Sequence, residues 1–147
     1  MTNRLAILER VFHRETRSLG QYLAESWPWT HRADREAEDL VHSILADERR
    51  WAQRLVEMIN SQGGVSRTAN YDEDYTDTNY LALDFMLNRL ADHLQHSVAA
   101  LRSDLAAAYD DAELRTLLEQ MIERKGGQVE ALRKLAGILA ATKVHGY

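Results

Sequence analysis

The chain has 147 residues, no cysteine, and 18 Lys+Arg against 23 Asp+Glu for a formal charge of −5, which suits one domain with a real core and no disulfide framework. The acidic balance argues against nucleic acid as a partner, and the lack of thiols removes cysteine nucleophiles and thiolate metal ligands. No uninterrupted apolar stretch approaches the roughly 18 residues a membrane span needs, so a soluble, unprocessed, cytoplasmic protein with no membrane partner is expected.

Apolar residues three and four apart share one face of a helix, and four such stripes follow in order. Leu5, Leu8, Phe12, Leu19, Tyr22 and Leu23 predict a helix over about 3–26 that ends near "SWPWT", where Pro28 disfavours helix at Trp27. Trp27 and Trp29 would cap the bundle end or form an exposed patch. Ala37, Leu40, Val41, Ile44, Trp51, Leu55 and Ile59 predict a second helix over about 30–60, stopped at "NSQGG" by Gly63 and Gly64. Leu83, Leu87, Leu90, Leu94, Val98, Leu101 and Leu105 mark a third over about 79–108. "YDDAEL" then interrupts, with Asp110 and Glu113 at the spacing of a capping box in which aspartate replaces Ser or Thr. Leu114, Leu117, Leu118, Met121, Val129, Leu132, Leu135 and Leu139 mark the fourth, over about 111–141.

Short breaks join the first helix to the second and the third to the fourth, which favours antiparallel hairpins. Between the hairpins, Ser61 to Thr78 is 18 residues of polar, glycine-containing and acidic sequence, long enough when extended to cross a bundle of roughly 35 Å. The expected architecture of this single domain, 1–147, is therefore an all-α, ferritin-like four-helix bundle of two antiparallel hairpins joined by a long crossover over 61–78. The alternative is an up-down-up-down bundle with a disordered loop. "NYDEDYTDTNY", Asn70 to Tyr80, holds three tyrosines and four acids. Its tyrosines are expected to anchor the crossover on the bundle.

Three stripes carry a long polar residue where an apolar one belongs. Glu15 lies three after Phe12 and four before Leu19; Glu48 lies four after Ile44 and seven before Leu55; Lys125 lies four after Met121 and seven before Leu132, with Gln128 one helical step on. Charged side chains rarely go fully inside unless paired. Three at similar heights on three helices point to one shared site in the core.

"ETRSLGQY", Glu15 to Tyr22, resembles the first-helix motif of bacterioferritins and related ferritin-like proteins, where the glutamate binds a di-iron centre and the tyrosine lies beside it. "ADERRWAQRLVEMINSQGG" resembles their second-helix segment, which carries a Glu-x-x-His pair, and "RKGGQVEAL" resembles their fourth-helix segment. The resemblance implies a ferritin-like fold and puts Glu48 at the bridging glutamate. It also puts Trp51 at the first histidine, Leu94 at the third-helix glutamate, Lys125 at the second motif's glutamate and Gln128 at its histidine. Of six family ligands only Glu15 and Glu48 remain, so ferroxidase or oxygen chemistry is not expected, and no cofactor is expected either.

The expected answer to the misplaced charges is a core polar network in which Lys125 occupies the space of the lost metal and neutralises Glu15 and Glu48, with Tyr22 and Gln128 donating hydrogen bonds. The alternative has Glu15 and Lys125 reaching out between helices. Functionally, the first expectation is a non-catalytic interaction or assembly module, a homodimer or the partner of another protein. Alternatives are a divergent metal-binding oxidoreductase or storage protein that uses Glu15 and Glu48, and small-molecule binding near Tyr22, Trp51 and Gln128. His93 and His96 are three apart but lie off the core direction set by Leu90 and Leu94, and solvated histidines are the expectation there. His42 also lies off its stripe, and His13 and His31 have no evident partner. Gly126 and Gly127 in mid-helix call for compensation through close helix approach, a bulge or contact with a neighbouring subunit.

Overall fold

Five helices stand out in the computed structural model, which describes residues 3–26, 35–66, 71 and 83–145. They are α1 (Arg4–Thr16), α2 (Leu19–Ser26), α3 (Arg35–Ser61), α4 (Leu83–Ala107) and α5 (Ala112–His145). Helices α1 and α2 are two segments of one arm, so the protein is an all-helical bundle of four arms. Two core clusters set their directions. One gathers Leu19 and Leu23 with the first half of α3 (Ala37 to Leu45), the first half of α4 (Met86 to Leu94) and the second half of α5 (Leu132 to Ala136). The other gathers Ile7 to Phe12 with the end of α3 (Leu55 to Ile59), the end of α4 (Leu101) and the start of α5 (Leu114 to Met121). Hence the first arm opposes α3, α4 opposes α5, and α3 runs parallel to α4. Helix α3 ends at one end of the bundle, and α4 begins at the other.

The crossover expected over 61–78 lies outside the described residues apart from 61–66 and Tyr71, whose ring meets Tyr22 edge-on at 5.4 Å and lies 4.8 Å beneath the Arg17 guanidinium. Of "NYDEDYTDTNY" only Tyr71 is described, and Trp27, Pro28, Trp29 and His31 lie outside the described residues, as do 30–34 and 79–82 of the expected helices. No helix among the described residues is long and apolar enough to cross a membrane.

The first helix is not the continuous element expected over 3–26. Thr16 donates its hydroxyl to the Phe12 carbonyl at 2.9 Å, a back-bond that loosens a helix, and Ser18 then caps a new one. The Ser18 hydroxyl oxygen accepts the Gln21 N–H at 3.1 Å, and the Ser18 carbonyl accepts the Tyr22 N–H at 3.1 Å. At the end of α3 the Gly64 N–H bonds the Ile59 carbonyl and the Gly63 N–H the Asn60 carbonyl, a Schellman closure with Gly63 at φ 76°. A Cβ at Gly64 would sit 2.6 Å from a Leu5 methyl, so any larger residue there would have to push that side chain aside.

The expected capping box at Asp110 and Glu113 is corrected by one residue. Asp111 caps α5, accepting the Leu114 N–H at 3.1 Å, while Glu113 reaches Arg4 at 2.6 Å instead of turning back. Arg4 also grips Asp111, so the start of α1 is tied to the start of α5. Gly126 and Gly127 lie in unbroken helix, and among the described residues nothing beyond the adjoining residues and the helix's own nearby backbone comes within 4 Å of a Cβ built on either. Neither a bulge nor close approach within the chain compensates them.

Candidate functional site

Midway along the bundle, where the two apolar clusters meet, the stripes deliver their polar residues to one place. Glu15 from α1 is 2% exposed, Glu48 from α3 2% and Lys125 from α5 1%. The Lys125 ammonium lies 2.9 Å from Glu15 Oε1 and donates to Oε2 at 3.0 Å, while Glu48 Oε2 is 3.8 Å away, beyond a hydrogen bond. Lys125 and Glu15 thus form a two-oxygen ion pair, and Glu48 is the third group beside it.

Glu48 is held by the break in the first arm. Its Oε1 accepts the Ser18 hydroxyl at 2.9 Å and the Gln21 amide at 3.3 Å. Ser18 therefore serves twice, as cap of α2 and as donor to α3. Gly20 makes the fit possible, since a Cβ there would lie 3.0 Å from Glu48 Oε1 and 3.1 Å from Leu45 Cδ2. Burial pushes the Glu48 carboxyl up to about 8, with Glu15 adding to the rise and Lys125, Ser18 and Gln21 opposing it. The charges explain the direction: two carboxylates share one ammonium in a dry site, and a proton on Glu48 balances them. Burial works against the Lys125 cation, but Glu15 and Glu48 outweigh it and raise its pKa above the usual lysine value.

His93 on α4 completes this layer and corrects the expectation of a solvated histidine. Its Nε2 accepts the Leu19 N–H at 3.3 Å, satisfying a backbone donor in the first turn of α2. Burial, Lys125 and His96 push its pKa down to about 4, so it is neutral and able to accept. His96, His42 and His13 are exposed.

Of the expected donors, Gln128 is placed differently. The Tyr22 ring packs against the Leu19 to Leu45 cluster and against Tyr71. The Gln128 amide donates to Asp47 Oδ2 at 2.7 Å, because Asp47, 4% exposed on α3, faces α5 one residue before Glu48. Arg124 Nε reaches the same oxygen at 2.7 Å, and Arg50 reaches Oδ1 at 2.5 Å. Asp47 stands three after Ile44 and four before Trp51, so the spacing that singled out Glu48 also pointed at it. A fourth buried carboxylate, Asp104 on α4, takes Arg10 and Arg14 from α1. Its signal was similar: three after Leu101, on the stripe that had shown no polar residue.

Leu94 is fully buried in apolar surroundings. Trp51 is half-buried against the Ile7 to Met121 cluster, with the Arg50 guanidinium 5.5 Å above its ring and its indole N–H buried without a hydrogen-bond partner among the described residues. Trp51 and Gln128 both line a groove of about 800 Å³ between α3 and α5.

The donor set does not fit a dimetal centre. Two carboxylates are joined by an ammonium, an indole that only donates, an amide already bound to Asp47, and a leucine. Among the described residues no three His, Asp or Glu side chains converge as a metal-binding group. No family model, no curated protein and no solved structure matches this chain.

Proposed function

We propose that this chain is a ferritin-like bundle in which the Lys125 ammonium stands where a metal would, and that it serves as a non-catalytic binding or assembly module. The observation that carries the reading is Lys125 itself. It is the least exposed of the three charged groups at the bundle centre and is bound to both oxygens of Glu15. A cation entering the site would meet that ammonium, and it would have to displace an internal ion pair to reach two oxygens. The parallel course of α3 and α4 supports the ferritin-like arrangement, since an up-down-up-down bundle would oppose them.

With its centre occupied by protein charges, the bundle's work belongs to its surface, where it meets a second copy or another partner in the cytoplasm. Elemental analysis of protein purified without chelators tests the reading. Iron, manganese and zinc are each expected well below one per chain, and two metals per chain retained through gel filtration would overturn it.

A further inference from the structure

A groove between α3 and α5 plays no part in the polar layer at the bundle centre. Its volume, about 800 Å³, is that of a small-molecule pocket. Leu40 and Trp51 of α3 and Gly127 and Ala131 of α5 supply an apolar lining, and Arg50 and Arg124 supply the charge. We infer that this groove binds a small amphipathic carboxylate, its head group held by Arg50 and Arg124 and its apolar body lying along Leu40, Gly127 and Ala131. The inference names a ligand class for the binding role proposed above and rests on that role.

Three observations converge on it. First, the two guanidiniums are held in place. Asp47, buried beneath them, accepts one nitrogen from each, Nε of Arg124 and a terminal nitrogen of Arg50. A guanidinium has five N–H groups in a rigid fork, so the Asp47 bonds leave N–H groups on both arginines for a ligand. Such fixing lowers the ordering cost of binding.

Second, the charge suits a monoanion. Arg50 and Arg124 offer two cations at a groove that also has Asp47, bonded to both, and Glu123, so the net charge there is zero and the attraction for one carboxylate is local to the two guanidiniums. Glu123, exposed at the same groove, disfavours a dianion such as phosphate.

Third, Gly127 leaves one wall bare. Glycine weakens a helix interior, and among the described residues nothing beyond the adjoining residues and the helix's own nearby backbone lies within 4 Å of where its Cβ would be. Internal packing therefore does not require the glycine, and its missing side chain keeps the groove open. The Trp51 ring, covered by Arg50, forms the facing wall.

Decanoate, well below its micelle concentration, is the probe. The full chain carrying Trp27→Phe and Trp29→Phe keeps Trp51 as its only tryptophan, since the sequence has three. Calorimetry should show saturable binding of one decanoate per chain, with a matching change in Trp51 emission. Decanol, with the same tail and no charge, should bind at least about tenfold more weakly, as should decanoate to the variant carrying Arg50→Gln and Arg124→Gln. Gly127→Leu should abolish binding while leaving helix content and thermal stability undiminished, because leucine is the better helix former. No saturable binding to the wild-type groove overturns the inference, and so does equal affinity in Gly127→Leu. A dimer that Gly127→Leu dissociates also overturns it, since the groove is then an interface between copies. The metal analysis has a separate readout, so failure there is distinguishable from failure here.

Discussion

Replacing Lys125 with methionine keeps the apolar stem and removes only the ammonium. Glu15 then loses the partner that held both of its oxygens at 2.9–3.0 Å, at a position 2% exposed. Breaking a buried pair from one side costs about 3–5 kcal/mol, because the remaining charge stays desolvated. Glu48 adds less at neutral pH, being 3.8 Å from the ammonium and already inclined to hold a proton. The expected loss is therefore roughly 3 kcal/mol, a large share of the ~5–15 kcal/mol a domain possesses. In urea, with a slope of about 2 kcal/mol per M, the midpoint should fall by roughly 1–2 M.

The loss should grow above about pH 8. Without Lys125 the Glu48 pKa rises further above its unfolded value of about 4.5, because the opposing attraction of the ammonium is gone. Up to about pH 8 the wild type carries the same proton on Glu48 and its stability declines alike, so the added loss from Glu48 appears only above that value, where the mutant's native state still binds the proton and the wild type has released it. Adding Glu15→Gln to Lys125→Met removes the stranded charge and should restore part of the midpoint. If Lys125→Met unfolds within about 0.3 M of wild type at every pH from about 4 to 8, the ammonium reaches water and the internal pair is not what holds these helices together.

The wild type should have a pH profile of its own. The Glu48 pKa, raised from 4.5 to about 8, makes stability fall with pH across that interval, while the His93 pKa, lowered from 6.5 to about 4, makes it rise between 4 and 6.5. The two should nearly cancel up to about pH 6.5 and leave a decline of about 1–2 kcal/mol from there to pH 8, which urea unfolding should find missing in Glu48→Gln. Ser18→Ala removes both the α2 cap and a donor to Glu48 and should cost about 1–3 kcal/mol by thermal unfolding, with Ser18→Thr retaining most of the stability. Gly126→Ala, with nothing near its new methyl, should raise stability by about 0.5–1 kcal/mol in the same assay.

Much of this was legible in the chain. The four stripes mark four arms because a period near 3.6 residues is set by helix geometry alone. Glu15, Glu48 and Lys125 stood out because each interrupts a stripe at its centre, a position that burial makes costly for a charge. Other features carried no such mark. Gln128 continues the Lys125 face, and its position on the helix does not tell whether its amide turns to Glu48 or to the neighbouring Asp47. His93 looked solvated because its angle from Leu90 and Leu94 placed it on the flank, and the Leu19 N–H that it accepts arrives from another helix, which no local spacing records. The break at Arg17 and Ser18 falls inside a stripe that continues past it without a gap.

Periodicity by itself determined which face of each helix turns inward, and hence which charges had to be accommodated. The tertiary structure decided who meets whom. Lys125 pairs with Glu15 and not equally with Glu48, Asp47 gathers two arginines and Gln128, and Ser18 gives up a helical turn to hold Glu48. Those choices depend on the axial offset and rotation between helices and on the path of long side chains. Partners such as Glu15 and Lys125, 110 residues apart, are brought together by packing, and no local pattern records that distance.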